Sequence, residues 1–262
     1  MCTLITLHRC IAGAPLVVAA NRDEFHERPT EGPALRTTAT TATTANRAED
    51  ASGSAPVVAP RDLRAGGTWL GVNPSGLFAA VTNRRSENPD PQRRSRGWLV
   101  MEALEAPTAR RAAERCDDLP ESAYNPFNLF IADAESAHLI SYADRPERVE
   151  LGPGAHVIGN VHPEESSPKL ARLRRELEPI AGRGAPLDAL AALCRSHVAD
   201  SPFESTCVHA DPYGTRSSTL LRLGANPALH YADGPPCQTP YRDLTPLLHD
   251  LGLVPSWEGV QA

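Results

Sequence analysis

Lysine is almost missing from this chain: Lys169 is the only one among 26 basic residues, and the rest are arginine. With 25 prolines and many alanines, that skew reads as the codon bias of a GC-rich genome. No run approaches the roughly 18 apolar residues that a membrane-spanning helix needs. Net positive charge is also lacking, since the formal charge is −6, so nucleic-acid binding has no general electrostatic support. There is no Cys-x-x-Cys among the six cysteines (Cys2, Cys10, Cys116, Cys194, Cys207 and Cys237) and no recognisable zinc spacing. The absence of Cys-x-x-Cys-His excludes covalent haem attachment. Met1-Cys2-Thr3 lacks the basic start and apolar stretch of a secretory signal. A cytoplasmic protein with reduced thiols and no bound metal is therefore expected. No internal repeat is visible.

What is present is ordinary for a globular protein: 262 residues, 41% hydrophobic and 22% charged, enough for one domain over 1–262 with a proper core. Residues 2–7 and 16–20 read as the strands of a hairpin turning at 8–15. Residues 26–64, with a threonine-alanine tract at 37–44, read as a mobile low-complexity excursion. A second hairpin spans 66–83 around Asn73-Pro74-Ser75-Gly76, a strong turn signal. Helical patterns follow at 97–105 and 107–117, then a hairpin at 127–143 and a strand at 149–160 entering a turn at Gly152-Pro153-Gly154. Helices are expected at 168–177, capped by Ser167 with Pro168 in first position, and at 186–197. A last hairpin closes the series at 215–231. Strand runs interleaved with helix pairs imply an α+β domain, with two sheets stacked between helical layers.

Chemistry concentrates at the first hairpin, where Cys2 faces the charged end Asn21-Arg22-Asp23-Glu24. If Met1 is removed, Cys2 carries both a thiol and a free α-amine, whose ordinary pKa values (about 8.5 and 7.7–8.0) lie near neutrality. The amine can then take the thiol proton. Arg22 would favour the thiolate, and Asp23 would hold the amine through a charge-assisted hydrogen bond. The alternative for Cys2 is a small hydrophobe in a first strand, and for the cluster a solvated strand end. Asn83 and Asn160 each close an apolar strand and offer amide donors of the kind that build oxyanion holes, although asparagine also ends strands as a turn former. Among the arginines of 84–96, Arg84 and Arg85 are candidates to clamp an anionic group; a solvated loop is the alternative. His8 and Cys10 share a strand face without further ligands. His26, His162 and His209 are left as candidate haem ligands.

Several blocks together carry a resemblance. They are Met1-Cys2, Ala20-Asn21-Arg22-Asp23-Glu24-Phe25 with Arg28-Pro29, Gly66-Gly67-Thr68-Trp69-Leu70-Gly71, 77–83, Phe127-Asn128-Leu129, Gly159-Asn160 and Tyr213-Gly214-Thr215-Arg216. In this order they resemble the NRDE family, also called the transport and Golgi organisation family. The resemblance runs from residue 1 to about 223. It implies a four-layer αββα sandwich of two antiparallel sheets between helix pairs, as in N-terminal-nucleophile hydrolases. A more distant similarity is to penicillin V acylases, bile salt hydrolases and acid ceramidase-like amidases. It implies Cys2 as nucleophile, Asp23 as its carboxylate, Asn83 and Asn160 as oxyanion residues, and Arg216 as a late arginine. Those amidases also carry an arginine three residues before their aspartate; here that place holds Ala20, with Arg22 as the candidate substitute. Asn21, Trp69, Arg84 and Arg85 are the candidate substrate-binding residues. Two functions follow: hydrolysis of a C–N amide or thioester without a required cofactor, or carriage of haem or acyl-CoA in the same pocket, as in the haem trafficking and lipid homeostasis in which the family is implicated.

Overall fold

The computed structural model describes residues 2–38 and 55–254. Strands β1 (Thr3–Ile11) and β2 (Ala14–Phe25) form the expected hairpin, but both run past the apolar stretches into polar sequence. Their register aligns Thr3 with Asn21, which carries Cys2 toward Arg22 and Asp23. The chain continues through β3 (Thr30–Thr37) and β4 (Pro56–Asp62), so both ends of the supposed 26–64 excursion are sheet; residues 39–54 lie outside the described residues. The sequence hides β3 because it is an edge strand paired only to β4, with alternating half-exposed positions. An edge tolerates Pro33, which falls at the register irregularity between Glu31 and Ala34.

Next come β5 (Leu70–Val72), β6 (Phe78–Asn83), α1 (Arg96–Leu104), α2 (Ala109–Cys116), β7 (Phe127–Ala132) and β8 (Ala137–Tyr142), close to expectation. The stretch 149–160, expected as a strand with a turn at 152–154, is two separate strands on either side of that turn, β9 (Pro146–Leu151) and β10 (Gly154–Ile158). Gly154, at φ +149°, makes the break, and the chain crosses there from the edge of one sheet to the edge of the other. Helices α3 (Pro168–Ala181) and α4 (Leu187–Arg195) follow; the Ser167 side chain accepts from the Leu170 N–H, capping α3 as read. The chain ends in β11 (Tyr213–Leu223), β12 (Ala228–Ala232), a short β13 (Arg242–Asp243) and α5 (Thr245–Asp250), the last two not anticipated.

The strands form two antiparallel sheets, ordered β10-β1-β2-β11-β12-β13 and β3-β4-β5-β6-β7-β8-β9. Strand alternation sorts their side chains into three cores. Leu4, Val18, Phe78 and Phe130 fill the space between the sheets. Their sequence neighbours Ile5, Val17 and Ala19 point outward onto α3 and α4. On the other side Ala79, Leu129 and Ile131 meet α1 and α2. The result is the αββα sandwich, and the N-terminal hairpin lies in the middle of its first sheet, flanked by β10 and β11.

Candidate active site

Asp23 is 3% exposed, near the end of β2, and pairs across the sheet with Thr215 of β11. The Thr215 hydroxyl donates to Asp23 Oδ1 at 2.6 Å, and the Tyr213 hydroxyl donates to the Asp23 carbonyl at 2.7 Å. Lys169 Nζ lies 3.9 Å from Asp23 Oδ2, with both side chains buried. This lysine occupies the first turn of α3, where a cation opposes the helix dipole. Asp23 is therefore its compensation. Burial pushes the Asp23 carboxyl upward against the pull of Lys169, and burial pushes the Lys169 ammonium downward against the pull of Asp23. In both groups burial disfavours the charged form and the partner's opposite charge favours it.

Half-buried Cys2 adjoins this pair, with its Sγ 3.9 Å from the Asp23 carbonyl oxygen. Burial raises its thiol, opposed first by the N-terminal ammonium and, more weakly, by Arg22. Arg22 is 5% exposed, stacks 4.4 Å over the Trp69 ring and lies 3.7 Å from Glu24. Two residues before Trp69, Gly67 lies against the start of α1, where a Cβ would sit 2.4 Å from the Gly97 carbonyl carbon, so no larger residue fits there.

Cys2 borders a small void of about 20 Å³, shared with Asn21 and Trp69, and stands where three larger cavities meet. One, of about 280 Å³, is lined by Arg22, Trp69, Asn83 and Arg96. A second, of about 310 Å³, is lined by Lys169, Asn160 and Phe203. The third is an open cleft of about 720 Å³, lined by Phe25, Asn83, Arg84, Arg85, Asn160 and Tyr213. Asn83 and Asn160 thus both reach the Cys2 region from distant strands, and the Asn160 amide donates to the Asn83 carbonyl. Their placement rests on residues not singled out by composition. The Thr82 hydroxyl and the Asn128 amide both donate to the Gly159 carbonyl, and Asn128 also holds the Val161 carbonyl, fixing the turn that presents Asn160.

Other candidates land elsewhere. Arg216 occupies the bulge between Thr215 and Ser217 and lines none of the cavities that contain Cys2. The bulge shifts the strand alternation at the arginine, while Thr215 and Lys169 both meet the Asp23 carboxyl. Asn21 is 2% exposed, and its amide donates to the Cys194 and Thr206 carbonyls, so it ties β2 to α4 and to the segment before β11. Its donors are engaged in scaffold, while the residue also lines the small void beside Cys2. Arg84 donates to the Ser141 hydroxyl while lining the open cleft, and the Arg85 N–H donates to the Asn160 carbonyl. None of His26, His162 and His209 lines a cavity with Cys2. His26 bonds the Ala210 carbonyl, and His162 lies 3.2 Å from Glu147. The main omission is Lys169, whose solitude in the sequence was a signal set aside as codon usage.

Comparison with known proteins agrees with this geometry. A family model described as Transport and Golgi organisation 2 matches residues 1–233. The chain is 31% identical over 244 residues to the Transport and Golgi organization protein 2 homolog of Bos taurus, covering 80% of this chain and 83% of that one. Among solved structures, it is similar to a Caenorhabditis elegans N-acylethanolamine-hydrolyzing acid amidase ortholog, with TM-score 0.53, 12% identity, and coverage of 84% of this chain and 92% of that one. It is likewise similar to a conjugated bile acid hydrolase from Clostridium perfringens, with TM-score 0.55, 11% identity, and coverage of 94% and 93%. At such identities the likeness is one of fold: the chain shares the two-sheet αββα architecture of these two enzymes.

Proposed function

The chain belongs to the Transport and Golgi organisation 2 family, and we propose that it is a cysteine N-terminal-nucleophile hydrolase of amides or thioesters. The observation that carries this reading is the convergence of Cys2 with the buried Asp23–Lys169 pair where the cavities join. Removal of Met1 places the α-amine on Cys2. Because burial raises the thiol, Cys2 needs a base to become a thiolate, and the adjacent amine serves. The thiolate sulfur bonds to the substrate carbonyl carbon, and the carbonyl pair moves onto oxygen. Asn83, joined by Asn160, faces that oxyanion; one such preorganised donor is worth about 3–4 kcal/mol. As the tetrahedral species collapses, the C–N or C–S bond breaks, and the ammonium returns its proton to the leaving amine or thiol. Water, deprotonated by the same amine, then releases the acid and regenerates Cys2. Asp23 holds the amine, and Lys169 takes the supporting cation's place that sequence reasoning gave to Arg22 or Arg216. Arg22 instead lines the substrate side, stacked on Trp69.

The decisive comparison is turnover of an amide and thioester panel by wild type and Cys2→Ala, with intact mass to follow Met1. Expected are loss of Met1, a covalent acyl adduct on wild type, and no turnover by the variant. Equal turnover by the two proteins overturns the reading. A second reading is favoured by the open cleft, where Arg64, Arg84, Arg85 and Arg96 face Phe25, Phe203 and Tyr213. That lining suits an anionic amphiphile such as acyl-CoA or haem, carried without turnover. Saturable acyl-CoA binding or a Soret shift, both indifferent to Cys2→Ala, would select it. Reduced thiols and a cytoplasmic setting belong to the same proposal, since the six cysteines are free.

A further inference from the structure

Outside the cleft, four ligand-type side chains from three segments converge: His197, Cys207, His209 and Cys237, with one nitrogen or sulfur of each within 4.8 Å of all the others. Cys207 Sγ is 3.5 Å from Cys237 Sγ and 3.7 Å from His209 Nε2, and His209 Nε2 is 3.1 Å from Cys237 Sγ. A tetrahedral zinc with bonds of about 2.0–2.3 Å has ligand–ligand edges of about 3.3–3.8 Å. The observed separations straddle that range. We propose that His197, Cys207, His209 and Cys237 form a structural zinc site of the Cys₂His₂ type.

The scaffold gathers these ligands without help from their own side chains. The Thr206 and Cys207 N–H groups both donate to the Ser196 carbonyl, which sets His197 beside the extended segment 206–210. On that segment Cys207 and His209 are two residues apart, with Sγ and Nε2 3.7 Å from each other. Cys237 arrives on a turn after β12, where Arg195 donates to the Pro236 carbonyl and the Gln238 and Thr239 N–H groups to the Pro235 carbonyl. The donor set is two thiols and two imidazoles, which in tetrahedral array selects zinc over oxygen-seeking cations. Equal spacing elsewhere does not give this result. His8 and Cys10 are also two apart, but Arg9 adopts φ +51° at a register break, His8 bonds the Asp133 carbonyl, and Cys10 is exposed. Binding replaces two thiol protons by the metal and joins the end of α4, the segment before β11 and the 235–239 turn. The site lies behind the strand end that carries Thr215, and it stands or falls separately from the Cys2 chemistry.

The test is cobalt(II) titration of the full-length, thiol-reduced protein, read by visible absorption. Wild type and Cys2→Ala should each take up one equivalent, with the intense d–d bands of a tetrahedral thiolate site, and zinc should bleach those bands. Cys237→Ser, at an exposed position, and Cys207→Ser should each lose most of the band intensity while keeping the wild-type circular dichroism. Zinc should also raise the melting temperature of wild type but not of Cys237→Ser. If reduced wild type gives no tetrahedral band, or if the band survives in the Cys207→Ser/Cys237→Ser double variant, the proposal fails. It fails equally if peptide mapping finds Cys207 and Cys237 joined as a disulfide that reductant opens without creating a cobalt site.

Discussion

The two walls of the cleft carry charge in opposite ways. On the first-sheet side, Cys2, Asp23 and Lys169 are packed with little solvent, and Lys169 and Asp23 lie 3.9 Å apart. On the second-sheet side, Arg84, Arg85, Arg94 and Arg96 form a rim among partly exposed residues of the 84–96 segment. The same kind of charge does different work in the two places. A buried pair feels a weak dielectric, so desolvation and partner attraction are both large, and protonation state becomes adjustable. An exposed arginine stays charged, is screened by water and salt, and acts mainly to attract and orient an anion. On the proposed function, proton chemistry falls to the buried pair and ligand capture largely to the rim.

Removing Lys169 should break that contrast most severely. Lys169→Met leaves a buried carboxyl without its cation, at a cost of about 3 kcal/mol in urea unfolding near neutral pH. Its pH dependence has a definite sign. With Asp23 raised further in the folded state, stability should be fullest below the ordinary carboxyl range and be lost as pH rises through the folded value. Asp23→Asn should show the reverse slope. There Lys169 is lowered without compensation, so stability is full above the ordinary lysine value, about 10.4, and is lost as pH falls through the folded value. Parallel slopes in the two variants would show that Asp23 and Lys169 are not a functional pair.

Asn21→Ala tests whether the first-sheet wall depends on scaffold bonds that never touch substrate. It strands the Cys194 and Thr206 carbonyls, and a loss of about 2 kcal/mol is expected in chemical denaturation. Trp69→Leu probes the boundary between the walls. Loss of the stacked ring under the Arg22 guanidinium should cost about 1–2 kcal/mol, seen as a lower unfolding midpoint. Arg84→Ala, on the rim, should change stability by less than about 1 kcal/mol. Its effect should appear as weaker binding of an anionic acyl ligand at low salt, fading at high salt. A large, salt-independent effect of Arg84→Ala would erase the distinction between the walls.

Much of the fold was legible because alternation and turn chemistry are local. Asn73-Pro74-Ser75-Gly76 marked one hairpin, and Ser167-Pro168 marked the start of α3. The turn at Gly152-Pro153-Gly154 was legible, but the change of sheet across it and the edge strand β3 were not, because local sequence does not say which sheet a strand joins. The hairpin that carries Cys2 and Asp23 could be read from its apolar runs and charged end. Asn83 and Asn160 were found through family blocks, and the structure brings both to the Cys2 cavities. Arg216 came from the resemblance alone, and the bulge between Thr215 and Ser217 that shifts its alternation is not visible in a residue count.

By itself, then, the sequence determined the N-terminal hairpin, the two-sheet class and the cysteine around which the site is built. These follow from periodicities of two and 3.6 residues and from side-chain chemistry, all local properties. Only the tertiary structure decided which cation meets Asp23 and which thiols meet which imidazoles. Lys169 is 146 residues beyond Asp23 in the chain, and 30 residues separate Cys207 from Cys237. Such pairings are set by how α3 and the 235–239 turn dock on the first sheet, and docking depends on three-dimensional packing that spacing along the chain does not encode.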